Sequence, residues 1–122
     1  MILVKTQVKI LDNSGARLAN TINILGKSYK SSGNVGDILV VSVKKIISNK
    51  KVEKGTVYKA LVVRLKKKIF RYGGYFIQFQ SSGVVLLSSK KNLIGTRILS
   101  LVSQDLKFIG CLKILSLAPG SF

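Results

Sequence analysis

The chain has 122 residues and is strongly basic, with 21 Lys and Arg against 4 Asp and Glu and a formal net charge of +17. Its length suits one domain, which we expect to span residues 1–122. With no His and a single Cys, the chain cannot form an imidazole-dependent catalytic triad, a Cys/His zinc site or an intrachain disulfide.

The first half of the chain is predicted to form four strands. Apolar and polar residues alternate with a period of two along the first, the third is apolar on both faces at its start, and the run Leu61–Val63 lies at the centre of the fourth. In the second of these strands, Leu18, Ile22 and Ile24 are expected to share one face. The Asp12–Gly15 segment has the composition of a turn. The four predicted strands span residues 4–10, 17–25, 37–47 and 56–65.

The second half contains a predicted hairpin and two further elements. A basic segment, Lys66–Arg71, precedes the Gly73–Gly74 pair, which marks a tight reversal. Residues 75–80 are expected to return as a strand, and residues 84–87 form another short strand. Leu101, Val102, Leu106 and Ile109 approximate a helical stripe that Gly110 would end, while Leu112, Ile114 and Ser116 are predicted to form a last strand.

The predicted fold is mainly β. Val, Ile and Leu are abundant while Ala numbers only 4, a balance that favours strands over helices. Several short strands separated by regular turns are typical of a small barrel, and closure of the sheet removes exposed edges.

The four acids are scattered along the chain, so paired-carboxylate catalysis is not expected. We predict no enzyme activity, no cofactor and no small-molecule substrate. The longest charge-free stretch, residues 72–89, contains Gly, Gln and Ser and is too polar for a membrane span. The N-terminus leads directly into a strand pattern, so we expect the protein to act in the compartment where it is made.

The excess of positive charge indicates a polyanionic partner, because a surface meant only for solubility would mix both signs. Lys dominates, and it suits phosphate neutralisation better than the reading of base edges. Loops and hairpins fit folded RNA better than the DNA major groove. The residues that we predict to bind RNA are Arg17, Lys27, Lys30, Lys44, Lys45, Lys66, Lys67, Lys68 and Arg71, with Lys50, Lys51 and Lys54 as secondary candidates.

A series of short motifs resembles the universal large-subunit ribosomal protein family numbered fourteen over essentially the whole chain. Each motif is weak alone, but together they occur in order and at the family's spacing. Five of them are Asp12–Arg17, Gly36–Ile38, Lys54–Gly55, Ile94–Ile98 and Ser116–Pro119. The other is Ala60–Val63, which is followed, after a basic interval, by Gly74, Phe79 and Val85–Leu86.

This resemblance implies a closed five-stranded β-barrel with a protruding β-ribbon and a short C-terminal helical segment. It implies a non-catalytic constituent of the ribosome that binds large-subunit rRNA and contributes to a bridge with small-subunit rRNA. Thr96 and Arg97 match the intersubunit face, through which similar proteins also bind a ribosome silencing factor. A neighbouring large-subunit ribosomal protein is a further implied partner.

The chain departs from the family pattern at several positions. Gly73 replaces the usual Asp, Asn or Ser and still permits a turn, and Ser82 replaces Asn or Thr. Ser100–Leu101 replaces a common Gly–Pro, so the resemblance does not predict the backbone conformation after Arg97. Together with a composition typical of A/T-rich codons, these changes favour an organelle-encoded copy in the mitochondrial matrix over a bacterial or plastid one.

Two other functions are compatible with parts of the sequence. A free single-stranded RNA-binding barrel would need several exposed aromatic residues on one sheet face. Tyr29, Phe70, Tyr72 and Tyr75 lie beside the charges, but for Tyr75 packing on its own sheet is the favoured interpretation. An RNA-modifying or nuclease domain would need an acid or His in a basic cleft.

Overall fold

The computed structural model describes residues 2–26, 28, 31–47 and 51–122. Within these residues the chain forms seven strands and two short helices. Neither helix has the length and apolar character that would be needed to span a bilayer. The elements are β1 (Gln7–Ile10), β2 (Ala16–Ile24), β3 (Ile38–Ile46), β4 (Val57–Arg64), β5 (Ile69–Arg71), β6 (Tyr75–Ile77), β7 (Gly83–Leu87), α1 (Asp105–Ile109) and α2 (Leu112–Leu117).

Five of the strands close into a barrel in the order β1-β2-β3-β4-β7. All neighbours are antiparallel except β1 and β7, which pair in parallel through Lys9 with Gly83 and Ile10 with Val84. The predicted five-stranded barrel is therefore confirmed. Closure gives each of the five barrel strands a paired neighbour on both sides, so none of them is an edge strand.

The alternation of side chains along β4 and β7 separates two hydrophobic clusters, because successive residues of a strand point to opposite faces. One set fills the barrel interior and consists of Ala60, Val62, Val84 and Leu86. The other set faces outward and consists of Leu61, Val63, Val85 and Leu87. The outward set is covered by residues from the C-terminal part of the chain, including Ile98, Val102, Leu106 and Ile114. All five residues of β7 are consequently buried.

The predicted face of β2 is wrong. Ile24 is buried, but Leu18 is half-buried and Ile22 is 44% exposed. The pairing of β2 with β3 shifts register between Ala16 and Leu18, between Leu18 and Ala19, and between Thr21 and Asn23. Such irregularities insert extra residues into the strand, so the period of two does not persist along it.

β5 and β6 form the protruding ribbon, which confirms the predicted hairpin. Gly73 and Gly74 have φ angles of 103° and 80°, a conformation that L side chains rarely adopt, so the glycine pair permits the turn. The returning strand ends at Ile77 and not at residue 80, since the Phe79 N–H leaves the ribbon ladder and donates to the Leu65 carbonyl.

The C-terminal part contains one confirmed and one wrong prediction. Helix α1 ends at Gly110 as expected, with Gly110 in the left-handed conformation, but it begins at Asp105, so Leu101 and Val102 of the predicted stripe lie outside it. The last predicted strand is instead helix α2. Ile114, Leu115 and Leu117 of this helix, with Cys111 and Ala118 that flank it, are partly or fully buried and pack on the outward cluster.

Candidate nucleic-acid interface

Among the predicted RNA-binding residues, two groups of exposed cations lie on the described surface. Arg17, Lys44 and Lys45 are exposed, and the pairing of Leu18 with Lys45 places them together where β2 meets β3. Lys66, Lys67 and Lys68 are exposed at the base of the ribbon, just before β5. Lys51 and Lys54 are exposed as well. The predicted RNA-binding residues Lys27 and Lys30, and the secondary candidate Lys50, lie outside the described residues.

Arg71 differs from the other candidates, because its guanidinium is engaged within the molecule. Nη2 donates hydrogen bonds to the Ser103 hydroxyl at 3.2 Å and to the main-chain oxygen of Phe122 at 2.6 Å. Nε lies 3.4 Å from Asp105 Oδ1, an ion pair without the geometry of a hydrogen bond. The side chain is only 13% exposed, so Arg71 connects the ribbon to the C-terminal segment.

Arg64, at the end of β4, has a similar role that sequence reasoning missed. It donates from Nε to the Ser81 carbonyl at 3.0 Å, from Nη2 to the Ser81 hydroxyl at 2.9 Å, and from Nη1 to the Ser100 hydroxyl. Its guanidinium also lies over the Phe79 ring, 5.8 Å from the centroid. Burial lowers the pKa of Arg64 by desolvation. Ser100, one of the departures from the family pattern, thus accepts a hydrogen bond from the Arg64 side chain at the end of β4.

Thr96 and Arg97 are exposed on a loop that Asn13 holds in place. Asn13 Oδ1 accepts the Thr96 N–H at 2.8 Å and the Arg97 N–H at 3.2 Å, and Asn13 Nδ2 donates to the Thr96 hydroxyl at 2.9 Å. Gly95 permits this approach, because a Cβ there would lie 2.9 Å from Asn13 Oδ1. Asn13 was predicted only as a turn residue, and its partners lie more than eighty positions away.

The carboxylates of Asp12, Asp37 and Asp105 accept hydrogen bonds from main-chain N–H groups or Ser hydroxyls. Asp12, which is buried, accepts from the Leu86 N–H and from Ser14. Asp37 accepts from the Asn34 N–H at 2.6 Å, and Asp105 accepts from the Ser103 hydroxyl. In the described part of the chain, no three His, Cys, Asp or Glu residues come close enough to hold a metal ion.

Cys111, the one cysteine of the chain, is half-buried against the outward cluster. Desolvation raises the pKa of its thiol. A raised pKa keeps the sulfur protonated at neutral pH, which is the opposite of what a nucleophilic cysteine requires.

The fold and surface define a small basic β-barrel with exposed cations where β2 meets β3 and at the base of the ribbon. These features are typical of a structural protein in a ribonucleoprotein particle. A family model described as Ribosomal protein L14p/L23e matches residues 1–122, and the chain belongs to this family. It is therefore a structural constituent of the large ribosomal subunit that serves translation, and it is not an enzyme. Membership implies contact with large-subunit rRNA and with other ribosomal proteins.

Proposed function

We propose that the chain sits on large-subunit rRNA through two basic surfaces. The first consists of Arg17, Lys44 and Lys45, and the second of Lys66, Lys67 and Lys68. The observation that carries this proposal is that all six side chains are exposed on a protein with only four acids. Lysines in these positions neutralise phosphates, and the counterions that they displace are released as the RNA folds around the barrel.

Lys27, Lys30 and Arg71 belong to the same proposal with different support. Lys27 and Lys30 are supported by charge alone. Arg71 is supported by its place on the ribbon, but its hydrogen bonds to Ser103 and Phe122 leave less of the guanidinium for phosphate. We therefore expect Arg71 to act on rRNA mainly by orienting the ribbon.

The loop that carries Thr96 and Arg97 is the proposed contact with small-subunit rRNA at the bridge. Asn13 fixes this loop by three hydrogen bonds while both side chains remain exposed, which suits a contact that must form and dissociate. The same loop is the proposed contact for a ribosome silencing factor. A factor bound there would occupy the surface that small-subunit rRNA needs, so the two partners could not bind at once.

A neighbouring large-subunit protein is the proposed partner of the helical end. Phe108 is 86% exposed on α1, and Ile109 and Leu112 are also exposed nearby in the chain. Adjacent exposed apolar side chains mark interaction surfaces more often than isolated ones do.

We further propose that this subunit is mitochondrial, on the composition and the family departures alone. The whole chain is proposed to act as one domain.

The alternative of a free single-stranded RNA-binding barrel is not favoured. Such a module stacks bases on aromatic residues of the barrel sheet. Among the described residues, the exposed aromatic side chains lie outside the barrel strands, on the ribbon, on α1 and at Phe122.

The proposal is tested by expressing a tagged copy of the chain in its own cells and separating the ribosomal subunits of the lysate by sedimentation. We expect the chain to travel with large subunits, and we expect Arg97→Ala to enter large subunits normally but to lower the fraction joined to small subunits. The matched control is Lys90→Ala, which removes one exposed cation from the loop after β7 and should change neither quantity. Loss of Arg97→Ala from large subunits would show that Arg97 belongs to the large-subunit contact instead.

A further inference from the structure

The two faces of the ribbon carry different chemistry. Phe70 pairs with Phe76 and Arg71 pairs with Tyr75. Residues directly opposite each other point to the same face of an antiparallel pair, and successive residues point to opposite faces. Phe70 and Phe76 therefore share one face, while the other face carries Arg71. Arg71 bonds to the C-terminal segment, and the two phenyl rings lie on the opposite face of the ribbon from Arg71.

The two rings and one ammonium form a compact group, which we call the aromatic platform (Phe70, Phe76 and Lys68). The ring centroids are 6.1 Å apart and the rings are tilted by 60°. Lys68 Nζ lies 4.6 Å from the centroid of Phe76, a cation–π contact. Phe70 is 78% exposed and Phe76 is 49% exposed. A contiguous aromatic surface on a protruding ribbon is a binding feature that phosphate neutralisation does not use.

The charge around the aromatic platform favours RNA over protein as the occupant. No Asp or Glu occurs between Glu53 and Asp105, whereas Lys66 and Lys67 are exposed immediately before the platform. Aromatic rings stack on nucleobases of any sequence, and adjacent ammonium groups meet the phosphates of the same strand. The platform thus offers complementary chemistry to both parts of a nucleotide.

We infer that the aromatic platform stacks one unpaired nucleobase of the RNA. The inference rests on the proposed rRNA binding and adds a base contact to it. Since the rings are tilted by 60°, one base can lie parallel to only one of them. Lys68 covers a face of Phe76, so the stacking ring is the more exposed Phe70, and Phe76 supports the base at its edge.

Fluorescence of 2-aminopurine within a short single-stranded RNA tests this inference on the full chain, with a fully paired duplex as the second probe. We expect binding to quench the probe, because stacking quenches it. Phe70→Leu with Phe76→Leu keeps apolar bulk but removes the rings, and it should weaken single-strand binding by about fivefold to tenfold. Duplex binding should not change. Phe108→Leu, which removes an exposed ring from α1, is the matched control and should change neither.

The outcomes separate the inference from the function on which it rests. If the double variant binds the single strand as tightly as the unaltered chain, the inference is overturned, and a protein becomes the better occupant of the platform. If the unaltered chain binds neither probe at low salt, the proposed rRNA binding itself fails. Binding of both probes that weakens in Lys66→Ala with Lys67→Ala supports that function whatever the platform does.

Photochemical crosslinking gives a second measurement that needs no variant, in case the double substitution disturbs the ribbon. A single-stranded RNA that contains 5-bromouridine is irradiated with the unaltered chain, and the attached peptide is identified by mass spectrometry. Attachment to Phe70 or Phe76 is the expected result. Attachment confined to other residues overturns the inference.

Discussion

Asn13 joins two loops that are distant in sequence, and the loop that it supports carries the proposed bridge residues. Replacing it, as Asn13→Ala, removes the acceptor of the Thr96 and Arg97 N–H groups and the donor to the Thr96 hydroxyl. We expect a loss of about 1–2 kcal/mol in the free energy of unfolding, because a partly buried group loses its hydrogen bonds. Chemical denaturation measures this loss. Amide exchange at Thr96 and Arg97 should become faster at the same time.

Asn34→Ala is the matched control, since Asn34 is an exposed asparagine in the loop between β2 and β3. It should leave the stability and the exchange of Thr96 and Arg97 unchanged. Unaltered exchange in Asn13→Ala would mean that the loop holds its shape without this side chain, and the bridge proposal would lose its structural support.

At the scale of single residues, the sequence predicted exposure better than it predicted partners. Lys66, Lys67 and Lys68 are exposed as expected, because an ammonium without a buried partner stays in water. The roles of Arg64 and Arg71 were not predictable in the same way. Their acceptors on Ser100 and Phe122 come from segments that only the folded chain brings near.

At the scale of elements, the ribbon is attached to the C-terminal segment by Arg71. Removal of the guanidinium in Arg71→Ala should lower the free energy of unfolding by about 1.5–3 kcal/mol, the usual range for hydrogen bonds to a charged group. We expect faster amide exchange in β5 and β6, because the ribbon loses this attachment while the barrel ladder stays intact. Exchange measured by mass spectrometry tests both expectations.

A double-mutant cycle with Asp105→Ala separates the ion pair from the other contacts of Arg71. Coupled residues in contact give a nonzero interaction energy, of about 0.5 kcal/mol or more. Lys67→Ala is the matched control, because it removes an exposed cation beside the ribbon and should leave exchange unchanged. If Arg71→Ala reduces RNA affinity without altering exchange in the ribbon, Arg71 binds the RNA directly and does not position the ribbon.

Strand β1 was predictable because a half-buried strand imposes a period of two on its sequence, whereas β4 and β7 are buried on both faces and were indicated by short apolar runs. Two local features overrode that rule. In β2 the shifts of register break the period, and nothing in the composition of Ala16–Ile24 announces them. In α2 a short apolar run fitted a strand as well as a helix, and the deciding signal was the helical spacing of Ile114 and Leu115 with the flanking Cys111 and Ala118. Recognising that spacing requires knowing which residues the outward cluster covers.

At the scale of the whole molecule, the positive charge can attract RNA in two ways. It acts either as a diffuse field that depends on the net charge or through fitted contacts between individual lysines and phosphates. The two possibilities differ in how salt weakens RNA binding. Each phosphate contact that is lost reduces the slope of log affinity against log salt by about 0.7 to 0.9. Replacing Lys66, Lys67 and Lys68 by Ala should therefore flatten the slope by about two, if these lysines touch phosphates. Filter binding over a range of salt concentrations measures the slope.

A variant with equal charge decides between the field and the contacts. Replacing Lys90, Lys91 and Lys113 by Ala also removes three exposed cations, but from outside the two proposed basic surfaces. A diffuse field depends on net charge, so both variants would then flatten the slope equally. Fitted contacts depend on position, so the ribbon variant should flatten it much more. An equal effect would refute the assignment of the ribbon lysines while leaving the barrel a polyanion-binding protein. A larger effect at the ribbon shows that the fold converts a general excess of charge into a specific contact.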